Sequence, residues 1–364
     1  MSGLSLHLDC AAGEQFRLQL ACELPATGIT AIYGPSGSGK STLLDCIAGL
    51  RRAAADSEIR FRGEYWQRPR LFVPPWQRRT AYVFQDARLF PHLNVEQNLR
   101  YALRRRHRDR GVSLAQVVSW LQLDDLLAQH PASLSAGQAQ RVAIARALLS
   151  APELMLLDEP LANLDHAASQ QIIGQLQQLN TDLELPMLYV SHDIEEVSQL
   201  ADQLVLLEQG RLAAQGSLLD LCSRLDTRLS REDQAAAIVV GTTAHHDARF
   251  SLTELDVEGQ PLLLAGPRLA PGQLRRLRIP ARDVSVCRQR PTDSSILNIL
   301  PVTLSDMLEE GPSRVLLRLA LGSQFLLARI TRKSAAHLQL QVGDRLYAQI
   351  KSAALLMEPV PEDG

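Results

Sequence analysis

Residues 34–42 read GPSGSGKST, set between the apolar run ITAIY at 29–33 and the stretch STLLDCIAGL at 41–50. Gly34, Gly37 and Gly39 free the backbone to turn its N–H groups inward around an anion, and a following helix adds the positive end of its dipole. Lys40 supplies a point charge for the β and γ phosphates of a nucleoside triphosphate, and the Ser41 hydroxyl suits Mg²⁺. Pro35, Ser36, Ser38 and Thr42 complete the loop. A strand, this P-loop and a helix in succession predict an α/β nucleotide-binding domain.

Such a loop needs a carboxylate beside the Ser41 hydroxyl to hold the metal. LMLLDEP at 154–160 provides Asp158 at the end of an apolar run, with Glu159 beside it. Asp158 is assigned to the metal and Glu159 to accepting a proton from the attacking water. Further apolar runs at 187–190 and 204–207 predict buried strands, and 138–149 and 193–200 predict helices, so residues 1–230 read as one sheet covered by helices.

The texture changes near 231. Gly-Pro, Pro-Gly and Gly-Asp punctuation separates short runs at 315–321, 325–330 and 345–350, which predict strands of a small barrel or sandwich. The expected division is an ATP-binding domain at 1–230, a linker and β segment at 231–290, and an all-β domain at 291–359. The strand spacing allows a twofold arrangement within 231–364. Hydrophobic residues at 46% and charged residues at 21% describe a folding chain. Lys and Arg number 38 against 40 Asp and Glu, a formal net charge of −2, so no overall positive field collects nucleic acid. The basic run RRRHRDR at 104–110 is broken by Asp109 and lacks interleaved aromatics, and reads as a solvated segment. Five scattered cysteines without CxxC spacing read as thiols of a reducing compartment. Asp9, Glu14 and Arg17 interrupt the N-terminus, which therefore has neither a signal-peptide core nor a membrane span.

LSAGQ at 134–138 opens a capped helix, with Ser135 and Gln138 in capping-box spacing. Taken in order, the P-loop, Gln85 in YVFQD, LSAGQ, LDEP, Asp165 in NLD and His192 in YVSHD resemble the ATP-binding subunits of ABC transporters over residues 1 to about 230. The resemblance implies an α/β P-loop ATPase domain with a helical subdomain, hydrolysing ATP with Mg²⁺. By the same resemblance Gln85 approaches the metal and the attacking water, and His192 contacts the γ phosphate. Ser135, Gly137 and Gln138 reach across a head-to-tail homodimer, with Asp165 at its seam. One P-loop and one signature per chain then require two copies for a complete site. Ala136 stands where the family has a second signature glycine, which makes φ > 0 costly there, and Ala139 replaces a basic residue. Phe16 is the nearest aromatic for adenine.

Residues 86–103, 186–197 and 345–352 are similar to the molybdate importer ATPase, and the C-terminal domain resembles the OB-like, Mop-type fold. That likeness implies molybdate as cargo, a transmembrane permease as partner, an extracytoplasmic molybdate-binding protein as indirect partner, and peripheral attachment to the cytoplasmic face of the inner membrane. It also implies an oxyanion site at Ser295, Asn298, Lys351 and Ser352, although Leu297 replaces the family's arginine. The alternatives are a β-domain that only dimerises, a tungstate or sulfate importer, and a soluble ABC-type ATPase acting on nucleic acid or ribosomes.

Overall fold

The computed structural model describes residues 3–11, 13, 16–106, 111–266, 268–351 and 356–357. Two compact units divide at Gln215 and Gly216.

The first unit is built on one sheet of eleven strands: β1 (Leu4–Ala11), β2 (Arg17–Leu24), β3 (Ile29–Tyr33), β4 (Glu58–Phe61), β5 (Glu64–Arg68), β6 (Leu71–Phe72), β7 (Thr80–Val83), β8 (Leu154–Asp158), β9 (Met187–Ser191), β10 (Gln203–Glu208) and β11 (Arg211–Ser217). Their order is β6-β5-β4-β1-β2-β11-β10-β3-β9-β8-β7. From β10 to β7 neighbours run parallel, and from β6 to β2 antiparallel. The parallel strands have both faces covered. Met155 and Leu157 of β8 with Tyr189 of β9 enter one apolar cluster, while Leu154, Leu156, Leu188 and Val190 enter the other. Two-sided burial explains why these strands read as unbroken apolar runs. The antiparallel wing, with β2 alternating exposed and buried, lacks such a run and was not anticipated from the sequence.

Helix α1 (Lys40–Ala48) follows the P-loop on the face shared with the wing. The other face carries α2 (Val95–Leu103), α3 (Leu114–Trp120), α4 (Ala136–Leu149) and α5 (His166–Leu183), and α6 (Ile194–Leu200) follows β9. Every expected strand and helix of this domain forms within a few residues of its anticipated limits.

Residues 216–230 belong to the second unit, so the compact boundary falls before 230. Here α7 (Leu218–Ser223) and α8 (Arg228–Arg231) precede two five-stranded sheets. The first contains β12 (Ala236–Asp247), β13 (Leu252–Val257), β14 (Gln260–Ala265), β15 (Leu274–Pro280) and β21 (Leu356–Met357). The second contains β16 (Val284–Cys287), β17 (Asn298–Glu310), β18 (Arg314–Leu321), β19 (Gln324–Thr331) and β20 (Arg345–Ile350), with α9 (Arg332–His337) between the last two. Within the stretch expected to be a linker and β segment, residues 236–280 form most of a sheet that shares one core with the other, Val239, Leu255 and Leu277 packing in the cluster of Leu300, Leu317 and Ala348.

The orders β14-β13-β12-β15-β21 and β19-β18-β17-β20-β16 are the same pattern twice, with the fifth strands exchanged: β16 follows β15 but borders β20, and β21 follows β20 but borders β15. Both copies bulge alike, between Thr243 and His245 and between Leu304 and Asp306. Gly272 (φ 77°) and Gly343 (φ 98°) turn the chain into the fourth strands by donating N–H to Thr243 O and Leu304 O. This is the twofold arrangement that the strand spacing allowed. It lies in hydrogen bonding more than in side chains, which hides it from a sequence comparison.

One buried cation secures the helix behind the P-loop. Arg78 donates Nε to Val73 O at 2.7 Å and Nη1 to Cys46 O and Ile47 O at 2.7 and 2.9 Å, satisfying carbonyls at the end of α1. Gly49 leaves it room, since a Cβ there would lie 2.7 Å from Arg78 Nε. Burial pulls the guanidinium down to about 10, still charged at neutral pH. Arg78→Ala removes the donor to Val73 O and Ile47 O and leaves Cys46 O only the Gly49 N–H, and should destabilise the domain by about 3 kcal/mol or more, lowering its thermal midpoint by roughly 6–12 °C. Calorimetric melting checks this, and an unchanged midpoint would remove Arg78 from the support of α1.

Candidate active site

The P-loop emerges from β3 and is held from behind. Gly34 packs so tightly on β10 that a Cβ would lie 2.2 Å from Leu207 O, and Gly210 donates its N–H to Ser38 O at 3.1 Å. Gly37 and Gly39 take φ of 78° and 102°, a region that side chains disfavour. Ser36 and Gly37 face solvent, and Ser38 Oγ is buried without a protein partner. A concave backbone that glycine alone can line, holding an unspent hydroxyl, fits an oxyanion ligand. Phe16 lies beside this loop, its Cζ 2.8 Å from where a Gly39 Cβ would stand.

Lys40 is 5% exposed and donates Nζ to Gly34 O at 2.8 Å and Pro35 O at 3.2 Å. Burial draws its ammonium below the ordinary range, and the nearby Glu159 and Asp158 carboxylates oppose that. Ser41 Oγ donates to Asp158 Oδ1 at 3.0 Å, so the two groups assigned to the metal meet. Burial pushes the Asp158 carboxyl upward, countered by hydrogen bonds from Tyr82 and Ser41. Tyr82 is a site residue that the sequence reading missed. Its hydroxyl donates to Asp158 Oδ2 at 2.9 Å from the neighbouring strand β7. Only the pairing of β7 with β8 discloses this contact, although Tyr82 stands three residues before Gln85 in the same motif.

Glu159 has left-handed backbone at φ 45°, a conformation costing on the order of 1 kcal/mol. Its N–H donates to Val190 O at 3.0 Å, tying the end of β8 to β9. The carboxylate then stands 3.8 Å from Lys40 Nζ and 3.3 Å from His192 Nδ1. Three side chains from different parts of the sequence therefore converge at the carboxyl ends of β3, β8 and β9, where open α/β sheets place their ligands.

Gln85 is exposed in the bend after β7. The segment it opens is strapped to α4, where Gln140 Nε2 donates to Phe84 O at 3.3 Å and Arg146 Nη2 to Ala87 O and Arg88 O at 3.2 and 2.9 Å. Ser135 caps α4 by accepting from Gln138 N at 3.2 Å, and Gln138 Oε1 accepts from Ser135 N at 2.9 Å. Ala136 takes ordinary helical backbone at the first position of α4, so the positive-φ penalty expected there is not incurred. Gly137 is buried where a Cβ would stand 3.0 Å from Ala168 Cβ, which makes it a packing glycine between α4 and α5. Asp165 caps α5, accepting from Ala168 N at 2.8 Å. Among the described residues, no hydrogen bond of Ser135 or Gln138 reaches residues 34–42.

The residues expected to hold an oxyanion in the second unit are differently disposed. Asn298 is 1% exposed, and both ends of its amide bond Leu263, Oδ1 accepting from N at 2.7 Å and Nδ2 donating to O at 2.9 Å. It serves as a brace between the two sheets. Ser295 and Lys351 are exposed, and Ser352 lies outside the described residues. Of the basic run, residues 107–110 also lie outside them, and Arg105 stacks on Tyr101 at 3.8 Å.

A family model for ABC transporters matches residues 18–162, and one for the TOBE domain matches 294–357. The molybdenum import ATP-binding protein ModC 1 of Azotobacter vinelandii is 46% identical over 345 residues, covering 94% of this chain and 95% of that protein. Molybdenum import ATP-binding protein ModC of Pseudomonas aeruginosa is 45% identical over 362 residues, 98% and 100% of the respective chains. Among solved structures, a dimeric ATP-binding cassette in a post-hydrolysis state with ADP and phosphate is 25% identical at a TM-score of 0.52, covering 59% of this chain and 98% of its own.

Fold, cradle and carboxylate pair define an ATP-binding cassette ATPase followed by an OB-like β-domain. Its closely similar relatives extend over nearly the whole chain. The chain belongs to the family of molybdenum import ATP-binding proteins of ABC transporters.

The cradle account predicts that Gly34→Ala, which drives a Cβ against Leu207 O, weakens ATP binding about tenfold or more, ~1.4 kcal/mol. Titration calorimetry with ATP measures this, and wild-type affinity in the variant would contradict the tight seating of the loop.

Proposed function

We propose that this chain is the ATP-hydrolysing subunit of an importer that carries molybdate across the inner membrane. The observation that carries the reading is the position of Glu159, held by a backbone bond to β9 between the buried Lys40 ammonium and His192. Molybdate as cargo is supported by the near-full-length likeness to molybdenum import ATP-binding proteins.

In this mechanism the P-loop N–H groups and Lys40 bind the β and γ phosphates, and Ser38 and Thr42 lie alongside. Phe16 is the proposed adenine contact. Glu159 takes a proton from the attacking water, and His192 contacts the γ phosphate while orienting Glu159. Hard oxygen donors at Ser41 and Asp158 suit Mg²⁺, with Gln85 as a further ligand through its exposed amide. When bound, Mg²⁺ neutralises phosphate charge and orients the outer phosphates.

The signature helix is proposed to complete the site of a second copy. Exposed Ser135 and the α4 N-terminus present N–H groups to the γ phosphate in a head-to-tail dimer, and exposed Asp165 lies at the seam. ATP thus closes the dimer and hydrolysis opens it, biasing a permease between two arrangements. No helix among the described residues is long and apolar enough to cross a membrane, and the chain is proposed to sit on the permease at the cytoplasmic face. Substrate would be delivered to that permease by an extracytoplasmic molybdate-binding protein. Any oxyanion bound by the C-terminal unit is proposed to rest on Ser295 and Lys351, since Asn298 is spent on Leu263.

The test is ATP-dependent uptake of molybdate into vesicles holding the complete transporter. Lys40→Ala should abolish uptake. Glu159→Gln should retain ATP binding while hydrolysis falls about a hundredfold or more. Near-normal hydrolysis in Glu159→Gln would remove Glu159 as the base, and ATP turnover without molybdate uptake would overturn the cargo.

A further inference from the structure

Behind His192 lies a second carboxylate that the hydrolysis mechanism does not use. Tyr189 and Ser191 are two residues apart on β9 and therefore present their side chains to the same face. Both are buried, at 0% and 3% exposed. Their hydroxyls donate to one oxygen, Glu196 Oε2, each at 2.8 Å. Ser191 Oγ also accepts the Asp193 N–H at 2.9 Å, and Asp193 in turn caps α6 by accepting from Glu195 N at 2.7 Å.

The connection from strand to helix is therefore hydrogen-bonded on both sides of a single residue, His192. That residue's own side chain is largely solvent-exposed, and it pairs with Glu159 at 3.3 Å. Val190, whose side chain enters the opposite cluster, contributes the carbonyl that holds the Glu159 backbone. The last residues of β9 thus fix both partners of the His192–Glu159 pair.

We propose that Glu196 is a positioning residue for ATP hydrolysis: by holding the Ser191 hydroxyl, it sets the turn that presents His192 to Glu159 and the outer phosphate. The inference rests on the reading of His192 as a contact of that phosphate. The carboxylate's part is to accept hydrogen bonds from two buried hydroxyls, whose loss would leave both donors unpaired. Misplacing His192 by a fraction of an ångström slows the chemical step without altering how ATP enters the cradle.

The experiment measures kcat and KM for ATP in the full-length protein, for Glu196→Ala, Glu196→Gln, Ser191→Ala and His192→Ala, and for Glu196→Ala combined with His192→Ala. Glu196→Ala and Ser191→Ala should each lower kcat about tenfold with KM changed by less than about twofold. Glu196→Gln, which can present an oxygen to the same two hydroxyls, should keep about half or more of wild-type kcat. In the His192→Ala background, Glu196→Ala should reduce the residual rate by less than about twofold, because both changes act through one group. A full tenfold loss persisting without His192, or wild-type kcat in Glu196→Ala and Ser191→Ala, would overturn the proposal. Should Glu196→Ala fail to fold, Ser191→Ala and its combination with His192→Ala decide the same question. Wild-type turnover in His192→Ala would instead overturn the role of His192 itself.

Discussion

A lysine ammonium cannot be taken out of water unless oxygen atoms surround it, and the ATPase unit is organised around meeting that demand for Lys40. The carbonyls of Gly34 and Pro35 accept from it, and Glu159 faces it at 3.8 Å. Those carbonyls can bend toward Nζ only because glycines turn the loop, and Glu159 can face it only because its backbone is bonded to β9. A triphosphate offers the same ammonium stronger partners. The energy of burying one charge is thereby turned into selectivity for an anion of the right length.

The sheet explains why these groups meet. Parallel strands end together at one edge, so residues far apart in sequence become neighbours when β3, β9 and β8 lie side by side. The buttresses are polar: buried Arg78 beneath α1, half-buried Tyr82 beside Asp158, and half-buried Glu196 behind His192. Gln140 and Arg146 extend the same logic outward, joining the segment that begins at Gln85 to the helix that begins at Ser135. A displacement of the signature helix must therefore move the Gln85 segment with it. That gives the proposed coupling to a permease a physical path.

The P-loop, the Asp158–Glu159 pair and the strands that carry them were legible because each has a strong local cause: glycine spacing, apolar runs buried on both faces, and capping residues. The antiparallel wing was not, since half-buried strands such as β2 alternate and carry no continuous signal. Tyr82 and Glu196 act across strand pairs and helix packing, so their roles exist only in three dimensions. Ala136 carries no backbone cost because the first turn of α4 does not adopt the positive φ that only glycine favours. In the second unit the strands at 315–321 and 345–350 were apparent, whereas the first sheet falls in the stretch read as a linker and β segment, and its edge strand β21 comes from a distant part of the chain. Asn298 enters the expected oxyanion set through the family resemblance, whereas its bonds to Leu263 across the two sheets exist only in three dimensions.

The central claim is that ATP is held between the cradle of one copy and the capped helix of another. Its most direct measurement mixes Glu159→Gln protein carrying Ser36→Cys with Glu159→Gln protein carrying Ser135→Cys and follows disulfide formation between the two. Both positions are exposed in the single chain. The account predicts a cross-linked heterodimer that forms with ATP and Mg²⁺ and fails to form without nucleotide. Saturating nucleotide binding with no cross-link between these surfaces would contradict it.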